Sequence, residues 1–180
     1  HSLSDTHRTN HNNHNYQKNH SSGKQPLPMK QSAGILLYRF VEHQLQVLLV
    51  HPGGPYHVHK DLGAWSIPKG EFEDGADPLV AAKREFREEL GHSVTATCFH
   101  RLSPVKQKAG KLVFAWAAEG DLDVSTIVSN TFPMEYPYKS GKWIDVAEVD
   151  RAEWFTPQVA REKVNPGQNP VIDEHEQLLK

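Results

Sequence analysis

Residues 68–91 read Pro68-Lys-Gly-Glu-Phe-Glu-Asp-Gly-Ala-Asp-Pro-Leu-Val-Ala-Ala-Lys-Arg-Glu-Phe-Arg-Glu-Glu-Leu-Gly91, and this stretch decides the fold. Asp77 followed by Pro78 is typical of a helix N-cap with proline at the first helical position. Gly91 is the residue type that commonly follows a helix end. The pattern therefore predicts a helix over 77–90, preceded by a turn that is rich in Gly, Asp and Glu.

The predicted helix carries three glutamates on one face. Successive helical residues advance by about 100°, so Glu85, Glu88 and Glu89 fall within an arc of about 100°. A neighbouring apolar stripe is expected to bury against a sheet and consists of Leu79, Ala82, Phe86 and Leu90. The ordinary interpretation of such a charge run is a solvated helix flank, neutralised here by Lys83, Arg84 and Arg87. The alternative is a cation site, because a bound divalent cation would reverse the repulsion between like charges at these spacings.

Seven residues of the stretch resemble the Nudix box, the loop–helix–loop signature of the Nudix hydrolases. The matching residues are Gly70, Arg84, Glu85, Phe86, Glu88, Glu89 and Gly91. Two positions depart from the pattern: Ala76 stands where the first glutamate belongs, and His92 stands where an apolar residue usually follows the glycine. The resemblance extends over most of residues 30–155, and the opening segment 29–39 is similar to that of a bacterial subgroup described as predicted NTP pyrophosphohydrolases.

The resemblance implies both a fold and a chemistry. The implied fold is α/β, of the α+β kind, with a mixed sheet sandwiched between helices and the box lying against the centre of the sheet. The implied reaction is hydrolysis of a nucleoside diphosphate linked to another moiety, such as an NTP, a dinucleoside polyphosphate or a nucleotide sugar, assisted by Mg²⁺ or Mn²⁺. Cations with oxygen ligands suit this reaction, because they stabilise charge on phosphoryl oxygens and align a water.

Carried over residue by residue, the Nudix pattern implies a set of metal ligands. They are the carbonyl of Gly70 and the side chains of Glu85, Glu88 and Glu89. Glu88 is also implied as a partner that activates water, and Arg84 belongs to the implied catalytic set. In the family the first box glutamate can pair with this arginine; with Ala76 in that place, Glu73, Asp74 and Asp77 are the expected partners.

Further site residues are expected outside the helix. Family members often recruit a general base from another loop; the candidate here is Glu135, with Glu119 as its competitor and a surface role open for both. Tyr136, beside Glu135 in an aromatic and proline-rich loop, is expected to stack on substrate. Lys69, next to the box turn, is expected to touch a phosphate or to lie idle at the surface.

Other aromatic and histidine side chains receive different interpretations. Trp65 and Trp143 lie in strand-like segments and are expected in the core. His51, His57 and His59 match no zinc-site spacing and are interpreted as loop histidines that contact substrate phosphates.

The remaining elements follow from periodicity and turn residues. Strands are expected at 33–40 and 44–51 as a hairpin, then at 64–68, 93–105, 111–119 and 143–146, with a long loop at 52–63 and closing helices at 157–164 and 171–179.

Composition limits the possible functions of the 180-residue chain. Residues 1–28 contain five of the twelve histidines and few apolar groups, so they are expected to be a disordered native tail, an added leader or a loose metal-binding tract. Residues 29–180 are expected to form the Nudix hydrolase domain. They hold 17 basic and 21 acidic residues, which argues against a nucleic-acid or membrane partner and favours a small nucleotide substrate.

Two functions of different class stay open on the sequence. The first is an active metal-dependent pyrophosphohydrolase. The second is a catalytically weak Nudix domain that binds or senses a nucleotide, and it stays open because Ala76 replaces the first glutamate of the box. An RNA-end processing enzyme would need a basic groove, and the excess of acidic residues in 29–180 does not support that function. The single cysteine, Cys98, fits a reducing compartment, so a cytoplasmic location is expected. The oligomeric state stays open.

Overall fold

A mixed β-sheet forms the centre of residues 29–180, the part of the chain that the computed structural model describes. The predicted tail at 1–28 lies outside the described residues. The strands are β1 (Gln31–Val41), β2 (Gln44–Pro52), β3 (Lys69–Glu71), β4 (His100–Arg101), β5 (Val105–Lys106), β6 (Leu112–Glu119), β7 (Thr131–Glu135), β8 (Trp143–Ala147) and β9 (Val149–Phe155). The helices are α1 (Pro78–Leu90), α2 (Pro157–Lys163) and α3 (Asn169–Leu178), with short 3-10 helices at Lys108–Gly110, Val124–Thr126 and Pro166–Gln168.

The main sheet has the strand order β4-β6-β1-β2-β9. β1 and β6 run parallel and the other pairs run antiparallel. β3 pairs with the first half of β1 on the same edge where β2 pairs with its second half, so residue 70 lies opposite residue 33. β7 and β8 form a separate two-stranded hairpin beside this sheet.

Helices cover both faces of the main sheet, because alternate strand residues point to opposite sides. Ala33, Ile35 and Leu37 of β1 pack in one core cluster with Phe86 and other α1 residues. Leu36 packs on the opposite face, in a cluster that includes apolar residues of α2 and α3. The predicted sandwich of a mixed sheet between helices is confirmed.

The box helix forms where the sequence predicts it. The Asp77 carboxylate accepts hydrogen bonds from the backbone N–H groups of Leu79 and Val80, and Gly91 caps the other end with a left-handed φ of 72°. A Cβ at residue 91 would also lie 2.8 Å from a carbonyl oxygen of Val128, so glycine fits there on two counts. Within residues 29–180, no helix is long and apolar enough to cross a membrane.

Three predicted elements are wrong in extent or type. The strand expected at 93–105 is mostly irregular, because only β4 and β5 find pairing partners on β6. The strand expected at 64–68 is reduced to isolated bridges at Trp65 and Ser66. The aromatic and proline-rich loop expected around Glu135 and Tyr136 begins as strand β7, which pairs with the correctly predicted β8.

Candidate functional site

Three glutamates meet at the edge of the α1 face of the sheet. One carboxylate oxygen from each of Glu85, Glu89 and Glu148 can be chosen so that all three lie within 4.8 Å of one another. Glu85 and Glu89 are one helical turn apart on α1, whereas Glu148 lies in the turn between β8 and β9. We call these three residues the carboxylate cluster.

Backbone hydrogen bonds hold Glu148 at the cluster. The Gly53 N–H donates to the Glu148 carbonyl at 3.1 Å, and the Glu148 N–H donates to the Asn130 carbonyl at 2.9 Å. The Asn130 N–H in turn donates to the carbonyl of Glu88 at 2.8 Å, so the turn is tied to the box helix itself.

The electrostatics of the cluster oppose full ionisation. Burial, with like-charge repulsion from Glu85 and Glu148 added to it, raises the pKa of Glu89 to about 8. Burial also raises the pKa of Glu85, with a further contribution from Glu88. The pKa of Glu148 is raised by burial and then by its two neighbours Glu85 and Glu88. Three half-buried carboxylates that resist losing their protons together are suited to receive a cation.

The backbone of Gly70 lies directly against the carboxylate of Glu85, a member of the cluster. A Cβ at residue 70 would lie 2.0 Å from the carboxyl carbon of Glu85, so any side chain there would displace this carboxylate. The N–H of the preceding residue, Lys69, donates to Glu89 Oε2 at 3.1 Å.

Lys69 is partly buried next to the carboxylate cluster. Burial and the nearby charge of Lys111 lower the pKa of the Lys69 ammonium, while Glu89, Glu71 and Glu85 act in the opposite direction. Its ammonium is thus a largely desolvated cation within the electrostatic reach of two members of the cluster.

Arg84 finds its partners on its own helix. Its guanidinium lies 3.3 Å from Glu85 Oε1 and 3.8 Å from Glu88 Oε1. The expectation that Glu73, Asp74 or Asp77 would replace the missing box glutamate is wrong: Asp77 caps the helix, and Ala76 is exposed on the open turn. Arg84 therefore neutralises the acidic face of α1 instead of clamping the turn.

The structure does not gather every predicted site residue. Glu88 lies outside the three-residue cluster but close enough to affect the pKa values of Glu85 and Glu148. Glu135 is on β7, opposite Trp143, and Glu119 ends β6 in register with Tyr38; neither belongs to the cluster. Their catalytic roles stay predictions from the sequence.

The predicted aromatic ring has a partner that sequence reasoning missed. Tyr136 is 38% exposed and meets Tyr56 edge to face, with ring centroids 5.5 Å apart. Tyr56 belongs to the loop 53–63, whose first residue donates to Glu148. The tyrosine pair is thus linked to the carboxylate cluster through this loop.

Two of the other aromatic and histidine expectations need correction. Trp65 is buried as expected, but Trp143 is 65% exposed, because within residues 29–180 β8 pairs with β7 alone and not with the main sheet. His51 is fully buried near the end of β2 and therefore cannot contact a substrate phosphate.

Glu148 is the site residue that sequence reasoning missed. It follows the predicted strand 143–146 by two residues, and acidic side chains after strand ends often face a site. That local signal is weak, because Asp150 follows the same predicted strand and shares it.

Comparisons with known proteins give the family and the fold of the chain. Residues 28–175 match the family described as NUDIX domain. A Caenorhabditis elegans Ap4A hydrolase, solved as a binary complex, is 22% identical with a TM-score of 0.56, covering 83% of this chain and 97% of that one. The NUDIX domain of Shewanella oneidensis NrtR, complexed with ADP ribose, is 16% identical with a TM-score of 0.56, covering 84% and 89%. The Escherichia coli ORF135 protein is 19% identical with a TM-score of 0.52, covering 84% and 91%. At these identities the structural likeness shows the fold. No curated protein sequence matches the chain significantly.

Proposed function

Because the chain belongs to the Nudix hydrolase family, we propose that it is a divalent-metal-dependent pyrophosphohydrolase that cleaves a nucleoside diphosphate linked to another moiety. The observation that carries this proposal is the carboxylate cluster of Glu85, Glu89 and Glu148. The cluster joins two box residues to a third carboxylate from a distant part of the chain. If the glutamates of α1 formed only a solvent-exposed helix face, there would be no reason for a carboxylate from another part of the chain to lie beside them.

The donor set fits a hard cation such as Mg²⁺ or Mn²⁺. Carboxylate and carbonyl oxygens are the ligands that these ions prefer. Glu85, Glu89 and Glu148 bring three carboxylates together, and the Gly70 carbonyl is the further ligand that the Nudix pattern implies. Burial and, after it, like-charge repulsion raise the pKa values of the three glutamates, and a bound cation would relieve that repulsion. When bound, the cation supplies charge stabilisation for phosphoryl oxygens and a more acidic water.

The other box residues have roles that follow from their positions. Glu88 stands beside the cluster and carries a carboxylate for accepting a proton from the attacking water; Glu135 is the alternative from the sequence. Arg84 offsets the repulsion between the carboxylates of Glu85 and Glu88 by pairing with both. Lys69 offers a desolvated ammonium to a substrate phosphate, where a buried charge attracts more strongly than one in water.

The nucleoside is proposed to bind at the tyrosine pair. Tyr136 and Tyr56 present two half-exposed rings on elements that adjoin Glu148, and a base can stack on a ring of this kind. A small nucleotide is therefore the proposed partner, without nucleic acid or membrane. A cytoplasmic location is proposed as well, in keeping with the single thiol of Cys98, which is free.

The test is hydrolysis of a nucleotide panel by the purified protein with Mg²⁺ or Mn²⁺. The panel contains dNTPs, dinucleoside polyphosphates, ADP-ribose and NADH, and the phosphate products are detected. The similar structures, an Ap4A hydrolase and a domain complexed with ADP ribose, make those two substrates the first choice. Binding of a nucleotide without hydrolysis of any panel member would favour a sensing module instead.

Variants at the three carboxylates outside the box locate the chemistry. Glu148→Gln should lower kcat by about a hundredfold, on the scale of losing one preorganised electrostatic group. Glu135→Gln and Glu119→Gln remove the same charge outside the cluster and test the two candidates that the sequence offers for the general base. A large loss at Glu135 with none at Glu148 would move the catalytic role to β7.

A further inference from the structure

His51 is a buried histidine whose two ring nitrogens both meet acceptors. Its side chain has no exposed surface, Nδ1 lies 2.9 Å from Asp150 Oδ1, and Nε2 lies 2.6 Å from the carbonyl oxygen of Lys60. The ring also packs against the edge of Trp65, with centroids 5.1 Å apart. A buried polar ring held on three sides has one orientation, so its two hydrogen-bonding partners are held at a fixed distance from each other.

On the first side of the ring, a β-bulge turns Asp150 toward His51. In the pairing of β2 with β9, His51 lies opposite Arg151 and Pro52 lies opposite Val149, so Asp150 is the extra residue of β9. Bulges redirect a side chain and often adjoin active sites. Asp150 is two residues from Glu148, the cluster member that comes from outside the box.

On the second side, His51 holds the middle of the loop 53–63. The loop is tied at its start by the Gly53 N–H on the Glu148 carbonyl and at its end by the Gly63 N–H on the Glu162 carbonyl. Between these two, the Lys60 carbonyl is attached to His51, and the Asp61 carboxylate accepts hydrogen bonds from Trp65 and Lys163. Tyr56 lies between the Gly53 attachment and the Lys60 attachment.

From these contacts we propose that His51 is a positioning residue that holds the Glu148 turn and the Tyr56-bearing loop in register with each other. This rests on the proposed function, in which Glu148 binds the cation and Tyr56 flanks the nucleoside. The Asp150 contact serves metal affinity, and the Lys60 contact serves nucleotide affinity. The two contacts are made by different nitrogen atoms of one ring. A substitution can therefore remove one contact and keep the other.

Two conservative variants make this separation. His51→Asn keeps an N–H donor near the position of Nδ1 for Asp150 but loses the hydrogen bond to the Lys60 carbonyl. His51→Gln keeps a donor near the position of Nε2 for Lys60 but loses the hydrogen bond to Asp150. We expect His51→Gln to weaken Mn²⁺ binding by roughly tenfold, the scale of losing a group that orients a metal ligand, with KM nearly unchanged. We expect His51→Asn to raise KM for the nucleotide by roughly as much, with Mn²⁺ affinity nearly unchanged. His100→Gln, an exposed histidine on β4 at the opposite edge of the sheet, is the control.

Amide hydrogen exchange gives a readout that does not depend on turnover. In the metal-free protein, His51→Gln should speed exchange of the Gly53 and Glu148 amides, which make the two hydrogen bonds of the turn. His51→Asn should speed exchange at the Lys60 amide, which donates to the His57 carbonyl within the loop. A wild-type protein that hydrolyses nothing would end the proposed function, while these exchange rates would still decide the role of His51.

Two results would overturn the proposal. One is wild-type Mn²⁺ affinity, KM and exchange rates in both folded variants; the other is a uniform loss of all of them in proportion to lowered stability. If both His51 variants fail to fold, Asp150→Asn replaces them, because Asp150 is 35% exposed and its amide keeps the size of the side chain. It should weaken Mn²⁺ binding at least about threefold more than Asp145→Asn, which removes a carboxylate three residues before Glu148. Equal effects of the two substitutions would also overturn the proposal.

Discussion

The substitution Glu89→Gln should stabilise the metal-free protein at neutral pH while abolishing most of its activity. The amide keeps the side-chain size, and its oxygen can still accept the hydrogen bond that the Lys69 N–H gives to Oε2 at 3.1 Å. What it removes is a buried charge. Glutamine thus isolates the electrostatic role of Glu89 from its packing.

The size of the effect follows from the pKa of Glu89, which burial raises from 4.5 to about 8. A raised folded-state pKa means that the folded protein holds the proton more tightly than the unfolded chain. The resulting stability is complete below pH 4.5 and is lost as the pH rises toward 8. At about 1.4 kcal/mol per pH unit, the raised pKa of Glu89 costs the metal-free protein roughly 3 kcal/mol at pH 7, because the folded protein must still hold a proton that the unfolded chain has released.

Urea unfolding in EDTA at pH 5 and at pH 8 measures this cost. The free energy of unfolding of wild type should fall relative to Glu89→Gln between the two pH values, and the variant should be the more stable protein at pH 8. Saturating Mn²⁺ should reverse the order, since a cation stabilises only the folded protein that holds its ligands. With metal and nucleotide, kcat of the variant should drop by about a hundredfold or more. A difference in stability that stays constant between pH 5 and pH 8, or near-wild-type turnover, would refute this reasoning.

Three further substitutions or deletions test other parts of the structure. Gly70→Ala should weaken Mn²⁺ binding by roughly tenfold in a titration, because its Cβ would lie 2.0 Å from the Glu85 carboxyl carbon; unchanged affinity would mean that the turn yields freely. Deleting residues 1–28 should leave Tm and turnover unchanged, and a loss of several degrees would show that the segment docks. Ala76→Glu should add only about 0.2–1 kcal/mol to the free energy of unfolding and alter turnover far less than Glu89→Gln; a hundredfold gain in turnover would identify the natural protein as a degenerate, ligand-holding domain.

The parts of the fold that local chemistry encodes were predictable from the sequence. The N-cap Asp77, the proline after it and Gly91 specify the bounds of α1 within a single stretch of chain. β9 escaped prediction because the bulge at Asp150 breaks the alternation of buried and exposed residues. The residues at 93–105 have the composition of a strand, yet a strand needs a partner, and only two short pieces meet β6.

The candidate site also has a part that local sequence encodes and a part that depends on tertiary packing. Glu85, Glu88 and Glu89 share a helix face by periodicity alone, so their convergence needs no tertiary structure. Glu148 reaches them only because Gly53 and Asn130 hold its backbone on both sides. Its place therefore depends on the packing of β2, β9 and the β7–β8 hairpin together. Perturbations at that edge of the sheet should loosen Glu148, and weaken cation binding, before they unfold α1 or the two cores beside the sheet.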